Sequence, residues 1–126
     1  MKKKRVHLIC NAHLDPVWLW HWEDGLTEAL STYRIAADFC DRHPGFVFNH
    51  NEALIYGWVE EFEPQLFRRI ERHVNSGQWH IAGGAYLQPD VNNTSGARQL
   101  HFDSRTAPGH IRLRRRLQRN REVLYL

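Results

Sequence analysis

The sequence predicts an α/β fold built on parallel strands. Short apolar runs at 6–10, 46–48 and 79–82 are separated by stretches whose apolar residues recur every three or four positions, the spacing of an amphipathic helix. The connections between runs are long enough for right-handed parallel crossovers, where a hairpin would need only a few residues. His13, Asp15, Asn49 and Asp90 fall just past these runs, at the strand ends where parallel α/β folds gather their chemistry.

Val6, His7, Leu8, Ile9 and Cys10 make a run short enough and apolar enough for a buried strand. Leu26, Leu30, Tyr33, Ala37 and Cys40 then predict a helix, which His43-Pro44-Gly45 stops. Phe46-Val47-Phe48 is the second expected strand and Asn49-His50-Asn51-Glu52 its polar exit. Leu54, Ile55, Trp58, Val59 and Phe62 share one face of a second helix. Pro64 suits the first turn of a third, where its missing N–H costs nothing. Leu66, Phe67, Ile70 and Val74 continue that helix to Ser76-Gly77, a C-terminal stop. Trp79-His80-Ile81-Ala82 reads as the third strand, broken by Gly83-Gly84.

A chain of 126 residues suffices for one small domain and is too short for a large enzyme barrel. With 42% hydrophobic and 25% charged residues it has a globular composition. The net charge of +3 is unevenly spread. Residues 1–97 hold nine Lys/Arg against twelve Asp/Glu, whereas residues 98–126 hold eight Arg, no Lys, and only Asp103 and Glu122 as acids. The basic tail lacks the interleaved aromatics or recognisable fold of a nucleic-acid binder, so nucleic acid is not an expected partner. Lys2-Lys3-Lys4-Arg5 has the charge of a signal peptide, but the following apolar run is too short and contains His7. No stretch reaches the roughly 18 apolar residues of a membrane span. Cys10 and Cys40 lie in apolar runs without CxxC spacing and are expected to be reduced core thiols. A cytoplasmic chain without membrane partners is expected; nothing in the sequence sets an oligomeric state.

The residues richest in chemistry are Asn11-Ala12-His13-Leu14-Asp15-Pro16-Val17-Trp18, after the first strand. Pro16 keeps Asp15 out of the α region, and in an extended chain positions two apart face the same side. His13 and Asp15 then aim an imidazole and a carboxylate at one point, a nitrogen and an oxygen donor of the kind zinc takes. Trp18 offers an aromatic surface beside it. Asp90, past the third strand, is the candidate third donor. Taken singly, each residue also fits a blander reading: His13 and Asp15 as a polar loop, Asp90 as a turn residue, the tryptophans as packing.

The stretch His7-Leu8-Ile9-Cys10-Asn11-Ala12-His13-Leu14-Asp15-Pro16-Val17-Trp18-Leu19-Trp20 resembles the amino-terminal signature of glycoside hydrolase family 38, the retaining α-mannosidases. Phe46-Val47-Phe48-Asn49-His50-Asn51-Glu52-Ala53, Gly77-Gln78-Trp79-His80-Ile81-Ala82-Gly83-Gly84 and Tyr86-Leu87-Gln88-Pro89-Asp90 resemble that family in the same order. The resemblance covers roughly residues 5–96 and looks nearest to the bacterial intracellular members.

It implies a partial parallel βα barrel, the first three strands of the family's seven-stranded catalytic barrel. It implies one zinc ion as cofactor, held by His13, Asp15 and Asp90, with Asp90 also the nucleophile that takes up the glycosyl group. Trp18 would line the subsite of the terminal mannose, and an α-mannoside carbohydrate would be the substrate. Ala85, Asn93-Thr94 and Ala97 depart from the family pattern.

The expected organisation is therefore an incomplete catalytic domain over 1–97 and a tail unlike the family over 98–126, with the Arg-only basicity of a shifted reading frame. The second zinc histidine and the general acid/base carboxylate would lie in the several hundred residues by which family members exceed this chain. On that reading the chain by itself is inactive, and its open sheet edge favours aggregation. A non-catalytic metal- or sugar-binding fragment and a zinc-dependent sugar deacetylase are the alternatives.

Overall fold

The computed structural model describes residues 4–81 and Leu87. Its elements run β1 (Cys10–Asn11), α1 (Trp22–Arg42), β2 (Phe48–Asn49), α2 (Ala53–Phe62), α3 (Pro64–Ser76) and β3 (Trp79–His80). The strands pair in parallel in the order β1-β2-β3, with Cys10 beside Phe48 beside Trp79 and Asn11 beside Asn49 beside His80. The α/β class and the order of elements are those the apolar spacing predicts. Because α1 touches both α2 and α3, the two crossovers lie on the same face of the sheet, as successive right-handed connections require.

The core sits between that helical layer and the sheet. Tyr33, Tyr56, Ile55, Val59, Phe67, Ile70 and Trp79 have no more than 2% of their surface exposed. Tyr33 is its centre, with the rings of Phe48, His50, Tyr56 and Trp79 all between 5.2 and 6.3 Å away, within the range of favourable aromatic packing.

α1 begins at Trp22, a turn before the expected stripe, and turns Gly25, Ala29, Tyr33, Ala36, Ala37 and Cys40 inward. Leu26 and Leu30 are only half-buried. The small residues face inward because this helix lies close to its neighbours: a methyl group at Gly25 would sit 2.0 Å from the Pro16 carbonyl oxygen. The helix ends as predicted, the His43 N–H bonding Phe39 O at 2.9 Å and Pro44 following. On α2, Tyr56 joins Ile55 and Val59 in the core, while Phe62 lies 46% exposed. Pro64 opens α3, and Gly77 closes it at φ 84°, a left-handed backbone that glycine adopts freely.

Polar side chains fix how the helices meet. The Gln78 amide donates to the carbonyls of Cys40 at 3.0 Å and His43 at 3.1 Å, fastening the end of α1 to the start of β3. Arg69 of α3 bonds Asp38 and Asp41 of α1, and His73 Nε2 lies 2.8 Å from Asp41 Oδ1. Arg34 pairs with Glu63 at the α2–α3 junction.

The first strand departs from expectation. Only Cys10 and Asn11 pair with β2, and Val6, Leu8 and Ile9 are 63–86% exposed. Among the described residues β1 has a neighbour on one side alone and no helix covers 6–9, so apolar content there secures no burial. Cys10 is accordingly a free, exposed thiol rather than a core one. Cys40 is buried as expected, and burial, helped by Asp41, pushes its thiol up to about 11, which keeps it protonated and inert. The second strand is Phe48–Asn49 rather than 46–48, and the third ends at His80, before Ile81; its expected continuation through Ala82 to Gly83-Gly84 lies outside the described residues.

Candidate functional site

The three strand ends form the floor of the site. Asn11, Asn49 and His80 stand side by side across the carboxyl edge of the sheet, and the Asn11 side chain donates to Asn49 O at 2.7 Å. The loop that follows β1 rises from this edge with His13 and Asp15 on one side of it. His13 Nε2 and Asp15 Oδ1 are 3.3 Å apart, their side chains 85% and 42% exposed. The two donors that the spacing and Pro16 pair in the sequence thus lie together in the fold. Two ligands of a tetrahedral zinc at about 2.0–2.1 Å are separated by about 3.3–3.4 Å, so the pair as it stands fits two adjacent zinc positions. Among the described residues no third His, Cys, Asp or Glu joins them. Asp90 lies outside the described residues.

Trp18 is 67% exposed and is not committed to the core. Trp20 acts differently, its indole N–H donating to the Asp15 carbonyl at 3.3 Å. Trp22 packs on Trp58 with ring centroids 6.2 Å apart, tying the start of α1 to α2.

The site also has a buried polar layer that the sequence does not reveal. His50, next after β2, is 2% exposed and Glu52 7%. His50 Nδ1 is 2.7 Å from the Tyr33 hydroxyl. Tyr56 O–H donates to the His50 carbonyl and accepts from the Trp79 indole N–H, both at 2.8 Å. Burial pushes the His50 imidazole down to about 4, so the ring is neutral at pH 7. Burial also raises both tyrosine hydroxyls. The sequence signal for this layer is weak: a polar Asn-His-Asn-Glu run reads as a solvated exit, and only the aromatic residues at 33, 56 and 79 show what covers it.

The chain's sequence is similar to those of known proteins. Residues 3–124 match the family model described as the glycosyl hydrolases family 38 N-terminal domain. The chain belongs to this family. It is similar to alpha-mannosidase G of Dictyostelium discoideum, 32% identical over 92 residues that cover 73% of this chain and 8% of that protein. It is similar to alpha-mannosidase 2C1 of Homo sapiens, 29% identical over 91 residues covering 72% and 9%. It is also similar to an alpha-mannosidase of Saccharomyces cerevisiae, 27% identical over 116 residues covering 89% and 11%. This family 38 chain therefore spans about a tenth of the length of these curated relatives. Its family match crosses the change of composition at residue 97. No helix among its described residues is long and apolar enough to cross a membrane.

Proposed function

We propose that this chain supplies the amino-terminal part of the active site of a zinc-dependent, retaining α-mannosidase of the cytoplasm. The observation that carries the reading is the His13–Asp15 pair, its donors at a zinc-compatible 3.3 Å, at the carboxyl edge of a family 38 sheet. In this reading β1, β2 and β3 are the opening strands of a parallel βα barrel, and residues 98–126 stand apart from it on their Arg-only basicity.

His13, Asp15 and Asp90 would hold the ion, which would supply Lewis-acid binding of hydroxyls of the terminal sugar. Trp18 stacks against that sugar and keeps water from its face. The Asp90 carboxylate attacks the anomeric carbon, forming a C–O bond as the glycosidic bond breaks, which gives the covalent intermediate of a retaining glycosidase. The leaving oxygen needs a proton from a second carboxyl group about 5–5.5 Å from the first, and no residue of this chain is assigned that role. General acid assistance contributes about 10²–10⁴ in rate, so the 126-residue chain alone is expected to turn over no aryl α-mannoside.

The test is hydrolysis of an aryl α-mannoside by a chain extended in frame to the length of its relatives. Activity that is lost on Asp90→Ala, with zinc binding lost on His13→Ala, supports the assignment. Full activity of the Asp90→Ala protein removes the nucleophile, and robust turnover by the 126-residue chain removes the partial-site reading.

A further inference from the structure

The two ends of the loop that bears His13 and Asp15 are held in different ways. At its start the Asn11 amide donates to the Asn49 carbonyl at 2.7 Å, tying the loop to the end of β2. Ala12 and Leu14 then pack, partly buried, against the core. His13 and Asp15 alternate with them, and their side chains come within 3.3 Å of each other. Beyond Pro16 burial gives no hold, because the side chains from Val17 to Trp20 are 42–90% exposed.

That far end is governed by few torsions. Peptide bonds are planar, and the ring of Pro16 fixes its own φ. The freedom left lies in ψ of Asp15 and ψ of Pro16, which turn the two peptide planes on either side of the proline. Each plane meets one contact from further along the chain. The Pro16 carbonyl oxygen lies so near the Gly25 backbone that a β-carbon there would be 2.0 Å away. The Asp15–Pro16 plane has no N–H, since proline lacks one, so its sole hydrogen-bonding group is the Asp15 carbonyl. The Trp20 indole N–H, which can only donate, meets that carbonyl at 3.3 Å. Trp22 differs: its ring packs on Trp58, whereas Trp20 is engaged through its nitrogen.

We infer that Trp20 is a positioning residue: its indole N–H fixes the Asp15–Pro16 peptide plane and so holds the Asp15 carboxylate within reach of His13 for a shared ligand. With Leu14 seated on the core before it and this plane held after it, Asp15 keeps chiefly its side-chain torsions free. Trp20 need not touch the ligand to do this. The inference deepens the proposed zinc reading and rests on it for the nature of the ligand, but the peptide plane can be observed without metal.

The experiment uses the 126-residue chain, zinc alone as probe, and two substitutions that divide the indole into its parts. Trp20→Phe keeps an aromatic ring and removes the donor. Trp20→Gln removes the ring and keeps a donor, because the Gln amide nitrogen stands as many bonds from Cα as the indole nitrogen. Calorimetric zinc affinity should fall about 3–10-fold in Trp20→Phe, the weight of one hydrogen bond, and stay within about twofold in Trp20→Gln. Leu19→Ala, at a neighbour 90% exposed, should leave affinity unchanged. Without metal, the Asp15 carbonyl carbon resonance should move upfield in Trp20→Phe, as for any carbonyl that loses a donor, and return in Trp20→Gln. Unchanged affinity in Trp20→Phe, or a greater loss in Trp20→Gln than in Trp20→Phe, overturns the inference. If the unaltered chain binds no zinc, the zinc reading fails instead, and the carbonyl resonance decides: an unmoved Asp15 signal in Trp20→Phe overturns the positioning role as well.

Discussion

The helical side of the sheet and the loop side are held by different physics. On the helical side Trp79, Tyr33, Phe67 and Ile70 are excluded from water, and stability there scales with apolar area removed from solvent. On the loop side Val17, Trp18, Leu19 and Trp20 are 42–90% exposed, so burial contributes little. The loop is instead placed by Ala12 and Leu14, partly buried against the core, by the Trp20 hydrogen bond to the Asp15 carbonyl and by the close approach of Gly25. One side supplies free energy and the other borrows its rigidity, which leaves side chains such as His13, Asp15 and Trp18 available to a ligand.

The contrast is broken most directly from the core. Trp79→Ala should cost about 3–5 kcal/mol and remove the hydrogen bond to Tyr56, so denaturant unfolding should shift far toward the unstructured chain. Gly25→Ala strikes the seam, because its methyl would meet the Pro16 carbonyl at 2.0 Å. Overpacking against backbone costs about 1–3 kcal/mol, and here the upper end is expected, together with altered Ala12–Asp15 amide signals.

Acid should probe the buried polar layer. His50 is held near a pKa of about 4, below its ordinary 6.5, so between those values the unfolded chain takes up a proton that the folded one does not. Stability should therefore fall as pH drops from 7 to 5, by about 2 kcal/mol, and His50→Gln should flatten that slope. A pH-independent midpoint between 5 and 7 would contradict the buried neutral ring.

Smaller effects sharpen the comparison. Arg34→Ala removes a half-exposed partner of Glu63, and such pairs contribute about 0–1 kcal/mol, less at high salt. Trp18→Ala should move the unfolding midpoint least, within about 0.5 kcal/mol, while weakening sugar binding by the extended enzyme. A large loss of stability there would mean that Trp18 is packing after all.

Helix ends were the most legible part of the sequence, because Pro44, Pro64 and Gly77 act locally through φ and the missing N–H. Register between elements was less so. The apolar stripe of α1 marks Leu26 and Leu30, yet the closeness of the helix to Pro16 turns Gly25 and Ala29 inward, and closeness is not written in hydrophobicity. The first run, 6–9, looks buried because it is apolar, but burial needs a covering layer from elsewhere. His13 and Asp15 could be paired from the sequence because Pro16 fixes the local backbone. His50 could not, since Tyr33, the partner of its ring, lies on α1, 17 residues earlier, and meets it only in the folded core.

Gln78 carries a consequence for how the chain could be divided. Its amide holds the carbonyls of Cys40 and His43 on one side of the exposed Pro44-Gly45 turn, and Phe46 O lies 3.5 Å from the same nitrogen on the other. A peptide bond cut within that turn would leave both new ends fastened to one side chain, with β2 still wedged between β1 and β3. Two separately made pieces, ending at Pro44 and beginning at Gly45, should therefore find each other and rebuild the sheet, and Gln78→Ala should weaken that reassembly far more than it weakens the uncut chain.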